Sequence, residues 1–369
     1  MKPKPFIVIG PGNILQRNLE ALNWTNRDLA EILGMSEKSI SLLLNNKQSV
    51  TIQTARLLAK TFKTSPEFWL NLEQNYRLRV ETGGQKEAET EVKAEIRTRM
   101  PILEMKKKGW ISCDRSTDSQ EAAYKAFWNQ EYMDFSVYEA DKRYFYPRQG
   151  KDDGHFTRYY SITWFHKAQT EAARISVSSY DRKALLDLTR RLPHFTREND
   201  GPSSFLTALG ACGVKFFVLD HLAKTYLDGA SFLDAGNPVI VYTARYDRID
   251  NFWWTLGHEL AHVLLHLHGP ADRFLDDLDE RSGGDARELE ADAFAAGLFK
   301  VDDLLTAAKP YASYLTEVRL KEIATIAGIS PQVALGILKY HKVVDYRTLP
   351  KLRHTVRDLI GPAYDKNRR

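Results

Sequence analysis

The feature that most constrains this chain is a run of nine residues, 258–266, in which two histidines lie four positions apart in an apolar, helix-forming stretch. Residues four apart on an α-helix lie about 400° round its axis, so His258 and His262 project from one face, one turn apart. That spacing suits one tetrahedral Zn²⁺ ion, and Glu259 can reach a water at the open metal position and accept its proton. The HExxH pattern therefore predicts a metal-bearing helix and hydrolysis of a peptide bond.

A third protein ligand is needed, and Glu288 is the first candidate. It lies 26 residues after His262 in the run Glu288-Leu289-Glu290-Ala291-Asp292-Ala293-Phe294-Ala295, whose composition is again helical. Asp292, one turn further on, can hydrogen-bond the outer nitrogen of a ligand histidine and so orient it. Two half-motifs in this order predict a site with two histidines and one glutamate.

His268 is the alternative third ligand. It is the eleventh residue of the motif, where metzincin-type proteases place a histidine after a glycine at the eighth position. The eighth position here is Leu265, so nothing breaks the helix early enough to bring His268 back to the metal. His266 continues the histidine stripe and is predicted to pack beside the ligands or to orient one of them.

Two alternatives to an active metal site remain. A metal-free helix would bury His258, Glu259 and His262 without partners, which costs free energy with no evident gain. A site that binds zinc but has lost turnover would keep the same residues. The motif itself is intact.

Composition sets the wider limits. A chain of 369 residues is long enough for two or three domains, with 43% hydrophobic and 27% charged residues. Its two cysteines, Cys113 and Cys212, are far apart in sequence, which argues against a disulfide framework and favours a reducing cytoplasm. The N-terminal residues lack the apolar core of a signal peptide, and no segment approaches 18 apolar residues, so we expect no membrane partner.

Charge is unevenly distributed. The whole chain has a formal net charge of +4, whereas residues 1–80 hold eleven Lys and Arg against six Asp and Glu, a net +5. The remainder is therefore close to neutral. A basic first domain is what a contact with nucleic acid requires.

Residues 11–76 have the pattern of five short helices. Gly34-Met35-Ser36 reads as a tight turn between the second helix, 26–33, and the third, 37–44, for which Ser36 is a good N-cap. Two helices joined by a turn with glycine, the second rich in small polar residues, form the helix-turn-helix pattern. The residues predicted to point inward in the first three helices are Leu15, Leu19, Leu22, Leu29, Ile32, Ile40 and Leu43.

The third helix is then the recognition helix. Lys38, Ser39 and Ser41 are predicted to face the major groove, with Lys47 and Gln48 near the phosphates. The alternative is a five-helix bundle that only dimerises or docks a protein.

Several pieces of this module carry a resemblance. They are Pro11 through Asn18, Leu29-Ala30, Ser36, Ile40-Ser41, Leu44-Asn45-Asn46-Lys47 and Ser65-Pro66-Glu67-Phe68-Trp69-Leu70-Asn71-Leu72. Over residues 11–76 the chain resembles HigA-type antitoxins of the Xre helix-turn-helix class. The resemblance implies operator DNA as a partner, a homodimer formed through this domain, and a closing helix whose aromatic residues belong to the core.

The region between the two motifs carries less information. Residues 81–108 read as a linker at Gly83-Gly84 followed by a charged, solvated helix. Residues 109–212 have helical spacing and many aromatics, which we attribute to core packing, and no chemistry is assigned to them.

Strand signals occur at 214–219 and 238–243, just before the metal helix. An edge strand beside such a helix holds an extended substrate by backbone pairing. In the turn that follows, Tyr246 or Arg245 is a candidate to polarise the scissile carbonyl, and a structural role for either is the alternative.

A second resemblance covers residues 214–300. The pieces are Arg245-Tyr246, Asn251-Phe252-Trp253-Trp254, the HExxH with its trailing His266, Phe274-Leu275-Asp276-Asp277 and the run from Glu288 to Ala295. They resemble the ImmA/IrrE metallopeptidases, which implies zinc on His258, His262 and Glu288, with Glu259 as the base. Members of this family cleave repressor or antitoxin proteins. The run usually ends with a proline that Leu298-Phe299-Lys300-Val301 lacks, which puts the helix end in doubt.

The sequence thus predicts a multidomain, mainly α protein with an N-terminal all-α helix-turn-helix and a small α+β zincin-like peptidase domain. The predicted divisions are 1–80, 81–108, 109–212, 213–310 and a C-terminal helical region, 311–369, whose helix pair in 322–342 packs on the peptidase. The expected function is a cytoplasmic DNA-binding regulator fused to a zinc endopeptidase that acts on a repressor or antitoxin. The alternative is a DNA-binding component of a toxin–antitoxin or phage-defence pair whose zinc domain binds a partner without cutting it.

Overall fold

In the computed structural model the chain forms two compact units, Met1–Val92 and Lys93–Arg369. The linker glycines Gly83 and Gly84 lie outside the described residues, and the narrower divisions predicted from the sequence stay predictions. The described residues are 9–80, 85–134, 136, 154–223, 225, 227–269, 272–276 and 286–361.

The first unit contains the five predicted helices. Thr25, Ser36 and Thr51 each accept a hydrogen bond from a backbone N–H in the first turn of the helix that follows, which satisfies donors that have no partner within a helix. The helices are α1 (Pro11–Leu22), α2 (Asn26–Leu33), α3 (Glu37–Leu44), α4 (Ile52–Phe62) and α5 (Pro66–Val80).

The turn between α2 and α3 is as short as the sequence predicted. Gly34 has a φ of 64°, in the left-handed region that glycine adopts without strain, and it ends α2. Ser36 then starts α3 directly. Ile40 and Leu43 of α3 pack with Trp69 of α5 in one buried cluster, so a fixed core supports the outer face of α3.

Three residues predicted to be buried are exposed. Leu22, Ile32 and Phe68 are 48%, 48% and 43% exposed. In α2 the buried face is centred on Leu29, Ala30 and Leu33, so Ile32 projects to one side of it. Periodicity identifies an apolar side of a helix, but the neighbouring helices decide how far round the axis that side is covered.

The second unit wraps helices round one small sheet. The boundary between the two units falls within α6 (Gln85–Arg99). The helices that follow it in the second unit are α7 (Ile102–Lys107), α8 (Thr117–Trp128), α9 (Gly154–Ala172), α10 (Arg182–Arg190), α11 (Leu192–Phe195) and α12 (Gly201–Ala211). The sheet and the later helices are β1 (Lys215–Val218), β2 (Gly229–Asp234), β3 (Asn237–Tyr242), α13 (Ile249–Ala261) with a π-helical turn (His262–His266), β4 (Arg273–Asp276), α14 (Ala286–Leu298), α15 (Val301–Ala308), α16 (Glu317–Ala327) and α17 (Pro331–Tyr340). Short 3₁₀ turns lie at Lys309–Tyr311 and Pro350–Leu352.

Strand order in the described sheet is β1-β3-β2-β4, with β1 parallel to β3 and both other pairs antiparallel. The expectation that the strand preceding the metal helix is an edge strand is wrong, because β3 pairs on both sides. Periodicity also missed β2 and β4. β2 has small residues where a buried strand usually has large ones, and β4 is only four residues long.

Helices cover both faces of this sheet. Tyr242 of β3 meets Phe252 of α13 with ring centroids 5.5 Å apart, whereas Phe232 of β2 meets Phe165 of α9 on the opposite face at 5.0 Å. Register places Tyr242 opposite Gly229. Gly229 and Ser231 therefore face α13, the helix that carries the HExxH residues.

The C-terminal helix pair packs on the metal helix, as predicted. Val333, Ile337 and Leu338 of α17 are buried in the core that α13 shares. A Cβ atom at Gly336 would overlap Asp250 of α13, so the two helices approach more closely there than a side chain would allow. The core round α13 thus extends into the C-terminal region.

No single helix in the described part of the chain is long and apolar enough to cross a membrane. The bent pair α16 and α17 meets the length and composition test only when its two helices are taken together.

Candidate metal centre and nucleic-acid interface

Three potential metal ligands come together from two helices. His258 lies in the last turn of α13, His262 begins the π-helical turn that follows, and α14 brings Glu288 against them. One donor atom from each residue lies within 4.8 Å of the other two. The Nε2 atoms of His258 and His262 are 3.0 Å apart, and Glu288 Oε2 is 3.3 Å from His258 Nε2. Two imidazole nitrogens and a carboxylate oxygen form a donor set that zinc prefers.

Each histidine is held from behind by an acceptor. His258 Nδ1 is 3.0 Å from Asp292 Oδ1, so the ring donates there and presents its Nε2 lone pair inward. His262 Nδ1 is 2.9 Å from His266 Nδ1, and His266 Nε2 is 3.2 Å from Glu290 Oε2. Asp292 and His266 thus lie where the sequence predicted, and Glu290 was missed although it belongs to the same helical run.

His262, His266 and Glu290 form a series of hydrogen bonds. The Glu290 carboxylate at its end decides where the protons of the series lie. Burial lowers the pKa of His266 below its ordinary value, so its ring is neutral at pH 7 and carries one proton. Since the Glu290 carboxylate can only accept, that proton lies on His266 Nε2. His266 Nδ1 then accepts from His262 Nδ1–H, and His262 presents an Nε2 lone pair. Two lone pairs that face each other at 3.0 Å repel, and a cation between them removes the repulsion.

Glu288 completes the negative side of this cluster. Burial raises the pKa of its carboxyl, but the adjoining rings of His258 and His262 lower it more, and the net pKa is well below the ordinary value. Glu288 is therefore ionised at neutral pH. The residues present fit a divalent metal ion in both donor type and charge.

His262 belongs to a single π-helical turn, His262–His266. Such turns are rare, and they occur often at functional sites. The ring of Phe274, from β4, stacks on His262 with centroids 4.2 Å apart and an angle of 19° between the planes. Contacts of this kind contribute about 0.5–1.5 kcal/mol. Phe274 is a site residue that sequence reasoning flagged only as part of a resemblance.

Glu259 lies fully buried on the side of α13 that faces the sheet. Its Oε2 accepts a short hydrogen bond from the Ser231 hydroxyl of β2. A Cβ atom at Gly229 would overlap its Oε1. Neither Gly229 nor Ser231 was predicted, because nothing in a sequence of small residues signals contact with a motif 28 positions away.

The other candidates lie apart from the three-ligand cluster in their described contacts. Tyr246 lies beside the guanidinium groups of Arg245 and Arg248, with its ring centroid 5.1 and 5.9 Å from their Cζ atoms. Arg245 reaches the buried Asp228 at 3.5 Å, next to Gly229. His268 is exposed, and its backbone N–H donates to Asp272.

On the first unit, the predicted DNA-contacting residues lie in and just after α3. Lys38, Ser41 and Lys47 are exposed, whereas Ser39 and Gln48 are half-buried. Ser39 lies 3.0 Å from the N-cap hydroxyl of Ser36, so its side chain is shared between the helix start and the surface.

The loop after α3 is anchored through Asn46. Asn46 Oδ1 accepts from the Gly12 N–H of α1 at 2.7 Å, and the Asn46 carbonyl accepts from Arg77 of α5 at 3.1 Å. Glu73 holds Arg77 at 2.7 Å. Lys47 thus follows a residue that is tied to both α1 and α5.

Fold and site together describe a helix-turn-helix unit joined to a unit of metallopeptidase type. A helix-turn-helix family model matches residues 15–69, and the IrrE N-terminal-like domain, a peptidase family, matches residues 212–338. The chain belongs to the HTH-type transcriptional regulators through its first unit and carries an IrrE N-terminal-like domain in its second. It thus joins a helix-turn-helix domain of the regulator type to an IrrE-like domain.

Known relatives match the first unit. An uncharacterized HTH-type transcriptional regulator of Haemophilus influenzae is 46% identical over 74 residues, 20% of this chain and 66% of the relative. The Escherichia coli regulators YbaQ and YddM are 44% and 34% identical over 17% and 18% of this chain, and these regions make up 57% and 72% of those relatives. A solved addiction module antidote protein of a HigA family from Coxiella burnetii is 32% identical over 26% of this chain and 97% of its own, with a TM-score of 0.20.

Proposed function

We propose that this protein is a transcription regulator whose second unit is a zinc-dependent endopeptidase, and that its substrate is a repressor or antitoxin protein. The observation that carries the proposal is the cluster of His258, His262 and Glu288, in which the rings of both histidines are oriented from behind. Membership of a peptidase family supports it.

His258, His262 and Glu288 would hold the zinc ion. Bound there, zinc supplies Lewis acidity that polarises the scissile carbonyl and makes a water molecule easier to deprotonate. Asp292 and the pair of His266 and Glu290 keep both rings in the tautomer that presents Nε2. These residues preserve the geometry of the ligands. Losing an outer partner of this kind typically lowers metal affinity 10- to 100-fold (about 1.4–2.7 kcal/mol).

Glu259 is the proposed general base. Its carboxylate takes a proton from the attacking water and returns it to the leaving amine. The Ser231 hydroxyl, which donates to Oε2, fixes the direction of the carboxylate, and Gly229 leaves room for Oε1. Tyr246 remains a proposed group for polarising the carbonyl. The substitution Tyr246→Phe keeps the ring beside Arg245 and Arg248 and removes only the hydroxyl, so it separates this role from a structural one.

Glu259→Gln tests the proposal. The amide has the shape of the carboxylate but cannot accept the proton, so we expect cleavage to fall by about 10²- to 10⁴-fold with zinc content unchanged. The substrate to use is the repressor or antitoxin encoded beside this gene, followed by gel and mass spectrometry. Glu322→Gln, at an exposed position in the same unit, is the matched control.

Unchanged cleavage in Glu259→Gln contradicts the role of Glu259. Binding of the neighbouring protein by the parent without any cleavage favours the alternative, a toxin–antitoxin or defence partner that does not turn over.

The first unit is proposed to bind operator DNA as a homodimer in the cytoplasm. A peptidase tethered to a DNA-binding module meets a DNA-bound substrate at an effective concentration of about the millimolar range. We therefore expect that Lys38→Ala in the full chain lengthens the half-life of the substrate in cells and leaves cleavage in purified solution unchanged. Equal half-lives would mean that the first unit does not target the peptidase.

A further inference from the structure

The strand that adjoins the proposed general base is β2. Gly229 and Ser231 lie two apart on this strand, and both contact the Glu259 carboxylate. Side chains alternate along a strand, so Ala230 and Phe232 point to the opposite face, where Phe232 meets Phe165 of α9. An extended peptide that pairs with β2 would therefore pass beside the base.

That position is taken by β4 of the same chain. β4 pairs antiparallel with β2, and Phe274 lies directly opposite Ser231. On the metal side Phe274 stacks on the ligand His262 at 4.2 Å. On the other side Arg273 lies over the ring of Phe165 at 4.9 Å. Both faces of this four-residue strand are thus in contact with the body of the unit.

The result is a closed site. Glu259 and His262 are 0% exposed and His258 is 1% exposed, whereas the Glu288 side chain is 37% exposed. A general base and two ligands that must meet a peptide bond are buried, and β4 covers one of them, His262, through the ring of Phe274. Only the carboxylate ligand reaches solvent.

We propose that β4 is a self-inhibiting strand: it fills the position beside β2 that an extended protein substrate takes, and the substrate binds by replacing it. This inference rests on the proposed peptidase function. The segment that replaces β4 is extended, runs antiparallel to β2, and carries an aromatic or other large apolar side chain where Phe274 now lies.

The exchange is energetically reasonable because it conserves interactions. A substrate strand restores the main-chain hydrogen bonds that β2 loses when β4 leaves, and an aromatic residue restores the contact with His262. The apparent affinity for any ligand of the site is the intrinsic affinity multiplied by the fraction of molecules in which β4 has left. A strand held more firmly therefore lowers that affinity, and one held less firmly raises it.

A disulfide between β2 and β4 tests this. Ala230 and Leu275 are register partners on the face away from the metal, and opposed residues of antiparallel strands have Cα atoms about 4.5–5.5 Å apart, which a disulfide spans. The double variant Ala230→Cys with Leu275→Cys is loaded with zinc and titrated with dansyl-Gly-Phe-hydroxamate, a peptide that chelates zinc. Fluorescence is read in the oxidised and the reduced form of the same preparation, with zinc content measured in both.

We expect the oxidised form to bind the hydroxamate at least about tenfold more weakly than the reduced form, with equal zinc content. The single variants Ala230→Cys and Leu275→Cys, oxidised in the same way, control for the native Cys113 and Cys212. Equal affinity in both redox forms overturns the proposal. If the zinc-loaded parent binds no hydroxamate, the metal has no open position, and the peptidase function fails together with the inference that rests on it.

Phe274→Ala gives the opposite shift. Loss of the ring contact with His262 should raise the open fraction and tighten hydroxamate binding by roughly three- to tenfold. Faster hydrogen exchange at the amides of β2 should accompany it. Tighter binding without faster exchange, or faster exchange without tighter binding, contradicts a strand that blocks the site by pairing with β2.

Discussion

The two units of this protein organise their functional residues in opposite ways. In the first unit, the residues predicted to contact DNA lie within eleven consecutive positions, 38–48, and most are exposed. In the second unit, both histidines of the proposed metal centre and the proposed base are buried, and their partners come from β2, α13, β4 and α14. A surface for DNA needs only one supported helix, whereas a hydrolytic centre must hold a metal ion and orient several groups round one water molecule, so its parts are drawn from distant segments.

Removing a proposed metal ligand should have the largest effect, a loss of zinc affinity. Glu288→Ala takes one of three donors from a site whose outer partners alone are worth 10- to 100-fold, so zinc affinity should fall by more than about a hundredfold. Competition with a chelating dye measures it. Leu289→Ala, next to it and 64% exposed, should leave affinity unchanged, and retention of zinc by Glu288→Ala would refute the third-ligand assignment.

The next largest loss of zinc affinity should come from changes in the histidine relay, the hydrogen-bonded series His262, His266 and Glu290. His266→Phe removes the acceptor that orients His262 and should lower zinc affinity by about 10- to 100-fold. Glu290→Ala, at the exposed end of the relay, should act in the same direction with a smaller loss. The same chelator competition reports both. A larger effect of Glu290→Ala than of His266→Phe would show that Glu290 acts on the site by another route.

Glycines give a stability test of each unit separately. A Cβ atom at Gly229 overlaps Glu259, and one at Gly12 overlaps the Leu44 carbonyl. Each substitution to alanine should cost about 1–3 kcal/mol in the unit that contains it. Gly297→Ala, in α14 with nothing within 4 Å, should instead stabilise by about 0.5–1 kcal/mol.

Hydrogen exchange resolved by peptide assigns each change to a unit. If Gly12→Ala lowered protection in the second unit, or Gly229→Ala in the first, the two units would not be energetically independent.

The recognition surface should give the smallest effect, because each side chain there acts nearly alone. Lys38→Ala together with Ser41→Ala should weaken binding to the promoter of the operon by about tenfold, as expected for a contact to a base edge. Fluorescence anisotropy at fixed salt measures it. Lys60→Ala, exposed on α4, is the control. An equal loss on random duplex would indicate a basic surface without sequence recognition.

Periodicity predicted the helices of both units well and the sheet poorly. α2, α3 and the turn at Gly34 follow from the capping residues and one glycine, all local signals. β2 has Gly229 and Ser231 where a strand usually carries large apolar residues, and its small residues are required by contact with Glu259. The close contact with Glu259 thus removed the pattern from which the strand would have been recognised.

The pairing of His258, His262 and Glu288 could be proposed from the sequence because helical spacing places the two histidines, and a second half-motif supplies the carboxylate. The roles of Gly229, Ser231 and Phe274 could not, since each depends on which strand adjoins the metal helix and in what register. Spacing along a helix is a property of the backbone and can be read from residue order. The neighbours of a strand and its register depend on which apolar surfaces pack against each other away from water, and only the folded chain decides that.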